Sequence, residues 1–260
     1  SGVLSCPASS PAPESPSESG SAPASDVSPV KVSRRFLRAV RASGADAERE
    51  SARDALAALD ADALVALDRD ERLATWLNVY NSATGDALLA DPDRFDDRGQ
   101  FFSEPVVTVA GEALSLDAIE HGILRGSQWK YGLGYVPNPF PSDFVRRHKL
   151  AERDWRIHFA LNCGAASCPA VAAYDAETVD ADLDVAAEEY LRSETVVEDD
   201  TAYVPRLMLW YRGDFGGRRG IRRILREYGP VDPDAVSRIR YREYDWSLAL
   251  DAFRDRGADP

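Results

Sequence analysis

Two cysteines, two histidines, a glutamate and two asparagines are the side chains with which this chain could do chemistry. Cys163 and Cys168 flank a run of small residues, Gly164-Ala165-Ala166-Ser167, and His158 lies just upstream. A thiol acts as a nucleophile when a base forms its thiolate, a third group orients the base, and donors stabilise the oxyanion. Cys168 or Cys163 would be the nucleophile and His121 or His158 the base. Glu120, Asn78 or Asn81 would orient that base. Backbone N–H groups in Gly164 to Ser167 would form the anion hole. This is the chemistry of a cysteine-dependent hydrolase or acyl transferase working on a small-molecule or peptide-like substrate, with no cofactor.

The same residues admit other readings. Four intervening residues let Cys163 and Cys168 close a small disulfide loop, and the spacing is not the C-x-x-C of thioredoxin-like enzymes. His121, His158, Cys163 and Cys168 are zinc-type ligands, but their spacing matches no zinc signature, so no metal is assigned. In the main alternative the domain is a noncatalytic binding or scaffold module, with Cys163 and Cys168 structural or disulfide-paired and the histidines part of the core.

The elements that would position these groups follow from periodicity. Ile157, Phe159 and Leu161 alternate with His158, Ala160 and Asn162, which predicts a buried strand with His158 and Asn162 on one face. Pro169 predicts a helix start, placing Cys168 at the positive end of a helix dipole. Upstream, Val32, Phe36 and Val40 mark a first helix, Ala52 and Leu56 a second, and Leu64 to Leu67 a short third. The longest helix carries Leu73, Trp76, Leu77, Tyr80, Thr84 and Leu88 on one face, with Asn78 and Asn81 beside it, and stops at Asp91-Pro92. Val106 to Val109 and Ala113-Leu114, around Ala110-Gly111, read as a hairpin. Ser115 caps a helix to Arg125 that holds Glu120 and His121, whose side chains, about 100° apart on an α-helix, should not face one point.

Residues 126–141 are rich in Gly, Pro and aromatics, as in a lid, a substrate wall or a cover over a sheet edge. A helix after Asp175, a hairpin around Asp199-Asp200, a short apolar segment Leu207–Tyr211 and a basic amphipathic helix ending at Gly229-Pro230 come next. The last element is a strand over 240–248, with Arg242, Tyr244, Trp246 and Leu248 on one face. Helices first, then strands mixed with helices, predict an α+β fold: N-terminal helices packed on a small, mostly antiparallel sheet, one domain over 31–255.

Residues 1–30 are Ser, Pro, Ala and Glu with few large apolar side chains, the composition of a disordered tether. Val3-Leu4-Ser5-Cys6 is like a lipoprotein box, in which Cys6 would carry a lipid. The formal net charge is −13 and lysine occurs only at Lys31, Lys130 and Lys149. Such an acidic, Asp-rich surface suits high salt and predicts a halophilic protein. It excludes nonspecific nucleic-acid binding. The expected location is the cytoplasm of a halophile, or outside the cytoplasm with a membrane link only through Cys6. Composition does not define an oligomeric state.

Trp76-Leu77-Asn78-Val79-Tyr80-Asn81, Ile119-Glu120-His121-Gly122-Ile123-Leu124-Arg125, His158 to Pro169, and Trp210-Tyr211-Arg212-Gly213-Asp214-Phe215 together resemble the domain of unknown function 547 family, in its order, over roughly residues 70 to 215. The resemblance implies one α+β domain and, from bacterial members, export. It carries no catalytic assignment.

Overall fold

Asp68 starts the helix on which the rest of the chain packs. Its carboxylate accepts from the N–H groups of Asp70 and Glu71, while the Glu71 carboxylate accepts from the Asp68 N–H, a reciprocal capping box. The computed structural model of the protein describes Gly2 and residues 27–253. Within it, α1 (Pro29–Arg41), α2 (Asp46–Ala57), α3 (Ala61–Val65) and α4 (Arg69–Ala90) follow in order. Every residue of α4 from Leu73 to Leu88 is buried. A helix buried all round must satisfy its polar side chains within the protein, so Asn78 and Asn81 have partners dictated by the fold. The predicted tether and Cys6 lie almost wholly outside the described residues; α1 begins at Pro29, slightly before the predicted boundary.

After α5 (Arg98–Ser103), β1 (Pro105–Val109) and β2 (Glu112–Ser115) form the expected hairpin, with Val107 opposite Leu114 and Val109 opposite Glu112. Ala110 and Gly111 both have positive φ (49° and 79°), the backbone of a two-residue hairpin turn. Their N–H groups donate to the carbonyls of Leu56 and Ala57, capping the end of α2. A π-helix, Ala118–Leu124, then α6 (Asp143–His148) and a 3-10 turn, Trp155–Phe159, lead to α7 (Val179–Glu194). β3 (Val196–Glu198) and β4 (Thr201–Val204) pair antiparallel, α8 (Leu207–Trp210) and α9 (Gly217–Tyr228) follow, and β5 (Arg238–Tyr241) returns parallel to β4. The fold is α+β. Its strands form two small sheets, and of the three pairings only β4–β5 is parallel.

The buried apolar side chains fall into two main clusters. One surrounds α4 and takes in α1, α2, the hairpin and the π-helix. The other is built from Phe159, α7, β4, α8 and α9. The chain between Phe159 and Tyr174 runs across their seam.

Three local expectations are corrected. Ile157–Asn162 is no strand: it is the end of a 3-10 turn followed by irregular chain. All six residues are buried, so the alternation of residue types does not separate an inner from an outer face. Cys168 does not start a helix, because the chain after Pro169 stays irregular until Val179. The last strand is β5, which ends at Tyr241, before most of the predicted span.

Candidate functional site

A cavity of about 360 Å³ opens at the seam between the two clusters. α4 contributes Tyr80, and the π-helix segment contributes Asp117, Glu120 and His121. His158 comes from the 3-10 turn, Leu161 and Cys163 from the irregular chain after it, and Trp210 and Tyr211 from the end of α8. Tyr244 and Trp246 close one side, from irregular chain beyond β5. Lys130, Tyr131 and Leu133 make another wall, which assigns part of the 126–141 loop to lining this cavity.

The π-helix explains how two adjacent side chains reach one point. The Arg125 N–H donates to the Glu120 carbonyl at 2.9 Å and the Ser127 N–H to the Gly122 carbonyl at 2.7 Å, both spanning five residues. This wider turn brings successive side chains closer in angle than an α-helix does. Glu120 and His121 therefore both line the cavity, with Glu120 Oε1 3.6 Å from His121 Nδ1. The expectation from α-helical geometry is overturned. Ser115 caps the segment as expected, accepting from the Ala118 N–H.

Behind the cavity lies a buried ionic network. The Asp214 carboxylate accepts from Arg125 Nε at 2.6 Å, from Arg153 Nη1 at 2.7 Å and from His158 Nε2 at 2.9 Å. Arg125, Asp214 and His158 are each almost completely buried at the side chain. Burial pushes the Asp214 carboxyl upward, but His158 and Arg125 outweigh it and hold it well below the usual range. Burial also lowers His158, against the opposing pull of Asp214, so the imidazole is neutral near pH 7. With Nε2–H donated to the carboxylate, Nδ1 carries the lone pair. The ring stacks on Tyr211 at 3.8 Å between centroids, and Arg125 lies over the same phenol at 4.7 Å.

Arg125 also sets the state of the second histidine. Its Nη1 lies 2.9 Å from His121 Nδ1 and can only donate, so Nδ1 accepts and Nε2 carries the hydrogen. That edge faces Asp117 at 3.5 Å, and Asp117 is held by Lys130 Nζ at 2.6 Å. Glu120 accepts from the Tyr80 hydroxyl at 3.3 Å. Burial, and then the Glu120 charge, raise both Tyr80 and Tyr211, keeping the phenols protonated as donors.

The sulfurs of Cys163 and Cys168 lie at disulfide distance, with Cα atoms 6.2 Å apart. Cys163 lines the cavity; Cys168 borders a separate cleft with Tyr174 and Tyr190. The Tyr244 hydroxyl lies 3.1 Å from the Cys168 sulfur and 3.5 Å from that of Cys163. Burial raises its pKa, so it remains a donor.

Three of the four N–H groups expected to form an anion hole in the small loop between the cysteines are already engaged. The N–H groups of Gly164, Ala166 and Ser167 donate to Asn162 Oδ1 and to the carbonyls of Ser247 and Asp245. Asn78 and Asn81 lie outside the cavity and clamp the chain across it. Asn81 donates to the Ala160 carbonyl and accepts from the Asn162 N–H, at 2.9 and 2.8 Å. Asn78 makes the same two-way bond with Tyr174, both at 2.9 Å. Each amide mimics a strand partner for an irregular segment. Among the described residues no group of three or more His, Cys, Asp or Glu side chains is placed to hold a metal ion.

Arg125 and Asp214 are the site residues that periodicity did not single out. The signal available was local: a charged residue closing an apolar helix, and an acid inside the Gly213–Gly217 break. That break matters sterically. The Gly213 N–H donates to the Leu133 carbonyl at 2.7 Å, and a Cβ on Gly213 would strike the Gly134 carbonyl. The cavity wall is thus pinned backbone to backbone beside Asp214.

The fold and site define an α+β domain with an aromatic cavity set against a buried Arg–Asp–His network. Residues 64–191 match the model of the family described as protein of unknown function, DUF547. The matched span includes Tyr80, Glu120, His121, Arg125, His158 and both cysteines, and ends before Asp214. No curated protein and no solved structure gives a match.

Proposed function

We propose that the cavity is a thiol-based active site that is latent while Cys163 is bonded to Cys168. The observation that carries this reading is convergence: Cys163 and His158 line one cavity, and Asp214 fixes the imidazole from behind. A dithiol reductant would convert the disulfide to two thiols and be oxidised to its own disulfide. The neutral His158 Nδ1 would then take the Cys163 proton, and the thiolate would attack an acyl carbon in the cavity. The leaving group would depart with the proton returned by His158, leaving an acyl thioester on Cys163 for water or an acceptor to resolve. Tyr244 is the donor nearest the sulfur and would stabilise the oxyanion in place of the occupied loop amides. A substrate with an apolar acyl group suits the aromatic walls.

The second reading is a noncatalytic binding module with a structural disulfide. It is favoured by the sulfur contacts: both sulfurs meet the Tyr244 hydroxyl, and neither is hydrogen-bonded to a histidine nitrogen among the described residues. p-Nitrophenyl acetate separates the two. An active thiol displaces p-nitrophenolate and keeps the acetyl group on Sγ, so intact mass and peptide mapping should find acetyl on Cys163 of the reduced protein. The yield should fall in His158→Gln and vanish in Cys163→Ser. Equal labelling of surface residues in all three proteins supports the binding module instead.

A further inference from the structure

The chain is acidic overall, yet the segment from Arg206 to Arg242 holds ten arginines against four acidic residues. α9 carries Arg218 and Arg219 in its first turn, where cations oppose the helix dipole. β5 presents Arg238 and Arg240 at its two exposed, same-facing positions. These side chains meet in one place: Arg212, Arg218, Arg222, Arg238 and Arg240 line a pocket of about 420 Å³, with Ser237 and Tyr241.

The acids nearby do not neutralise it. Asp234 accepts from Arg222 and Arg226, and the Asp200 carboxylate faces Arg238. Arg212 is met by the phenols of Tyr135 and Tyr241, and its buried Nε has no hydrogen-bond partner. Arg218 and Arg240 form no ion pair among the described residues. Elsewhere the same chain pairs its arginines closely: Arg69 and Arg156 each bind Asp154 and Asp180. The unpaired guanidinium groups of Arg218 and Arg240 converge with the other arginines of the pocket, and like charges held together repel one another. Their planar donors match the geometry of phosphate oxygens.

We propose that this α9–β5 pocket binds a phosphate-bearing anion of at least two negative charges. The concave shape suits a small phosphate ester, a diphosphate or a lipid phosphate headgroup rather than a nucleic-acid strand, which needs an extended groove.

The test is calorimetric titration of the full chain with inorganic pyrophosphate, and co-sedimentation with phosphatidylcholine vesicles with and without phosphatidic acid. Saturable pyrophosphate binding that weakens with added salt is expected. It should drop about tenfold or more in Arg218→Ala/Arg240→Ala, and Arg240→Lys should retain part of it. Circular dichroism checks that these exposed substitutions leave the fold intact. Binding to pyrophosphate alone identifies a soluble phosphate as the source. Sedimentation only with phosphatidic acid vesicles, lost in the double variant, identifies a lipid headgroup. No saturable binding to either probe, binding unchanged in the double variant, or binding only to an oligonucleotide overturns the proposal.

Discussion

Asp214 Oδ2 accepts hydrogen bonds from Arg125 Nε and from His158 Nε2 at once, at 2.6 and 2.9 Å, with all three side chains out of solvent. One carboxylate thereby orients the imidazole facing the cavity and neutralises a fully buried guanidinium.

Removing that charge leaves Arg125 buried and unpaired. Breaking a buried pair from one side costs about 3–5 kcal/mol. Asp214→Asn should therefore lower the melting temperature by about 10 °C or more, as thermal unfolding would show. A loss of only a degree or two would mean that the network is open to water.

The buried histidines set an acid limit on stability. Burial, with Arg72 and Arg147 nearby, pushes His148 down to about 4, and burial lowers His158. An unfolded histidine titrates near 6.5, so below that pH the unfolded chain binds protons that the folded chain refuses. Stability from these groups is complete above about pH 6.5 and is lost as pH falls toward 4. Asp214 has linkage of the same sign in a lower window: its folded pKa is also depressed, so its share is present above about pH 4 and is lost only below that. Denaturant midpoints from pH 8 to 4 should fall mainly on the acid side of neutrality, and His148→Leu should flatten the slope.

Asn81 holds two buried backbone groups of the chain that carries His158 and Cys163. Asn81→Ala leaves the Ala160 carbonyl and the Asn162 N–H unpaired, a cost of about 2–6 kcal/mol at one to three per group. Urea unfolding should show this loss in the midpoint with little change in slope.

Gly213 permits the backbone approach that fixes the cavity wall. In Gly213→Ala the new Cβ meets the Gly134 carbonyl, and backbone cannot yield as a side-chain tip can. Destabilisation of about 2 kcal/mol or more is expected, with faster amide hydrogen exchange over residues 129–136.

Much of the frame was readable from residue types because local signals agreed with the tertiary structure. Ala110-Gly111 sits between two apolar runs, and the turn has the two positive φ angles that a tight hairpin requires. Asp91 closes α4 where the Asp91-Pro92 pair predicts the stop. The Ile157–Asn162 stretch was misread because burial on every side removes the contrast from which a strand is recognised. Glu120 and His121 were separated by assuming α-helical geometry where the chain adopts a π-helix. Asp214 gave no periodic signal, since its role depends on Arg125 and His158, which only the tertiary fold brings to it.

The central claim concerns Cys163, and thiol alkylation with peptide mass spectrometry tests it most directly. Native protein is treated with iodoacetamide across pH, before and after a dithiol, alongside His158→Gln. Neither cysteine should react before reduction. After it, Cys163 should alkylate faster than Cys168 near neutral pH, and His158→Gln should slow Cys163 alone. If the reduced native protein leaves both thiols inert until it unfolds, or if His158→Gln changes nothing, the cysteines are structural and the cavity is a binding site without a nucleophile.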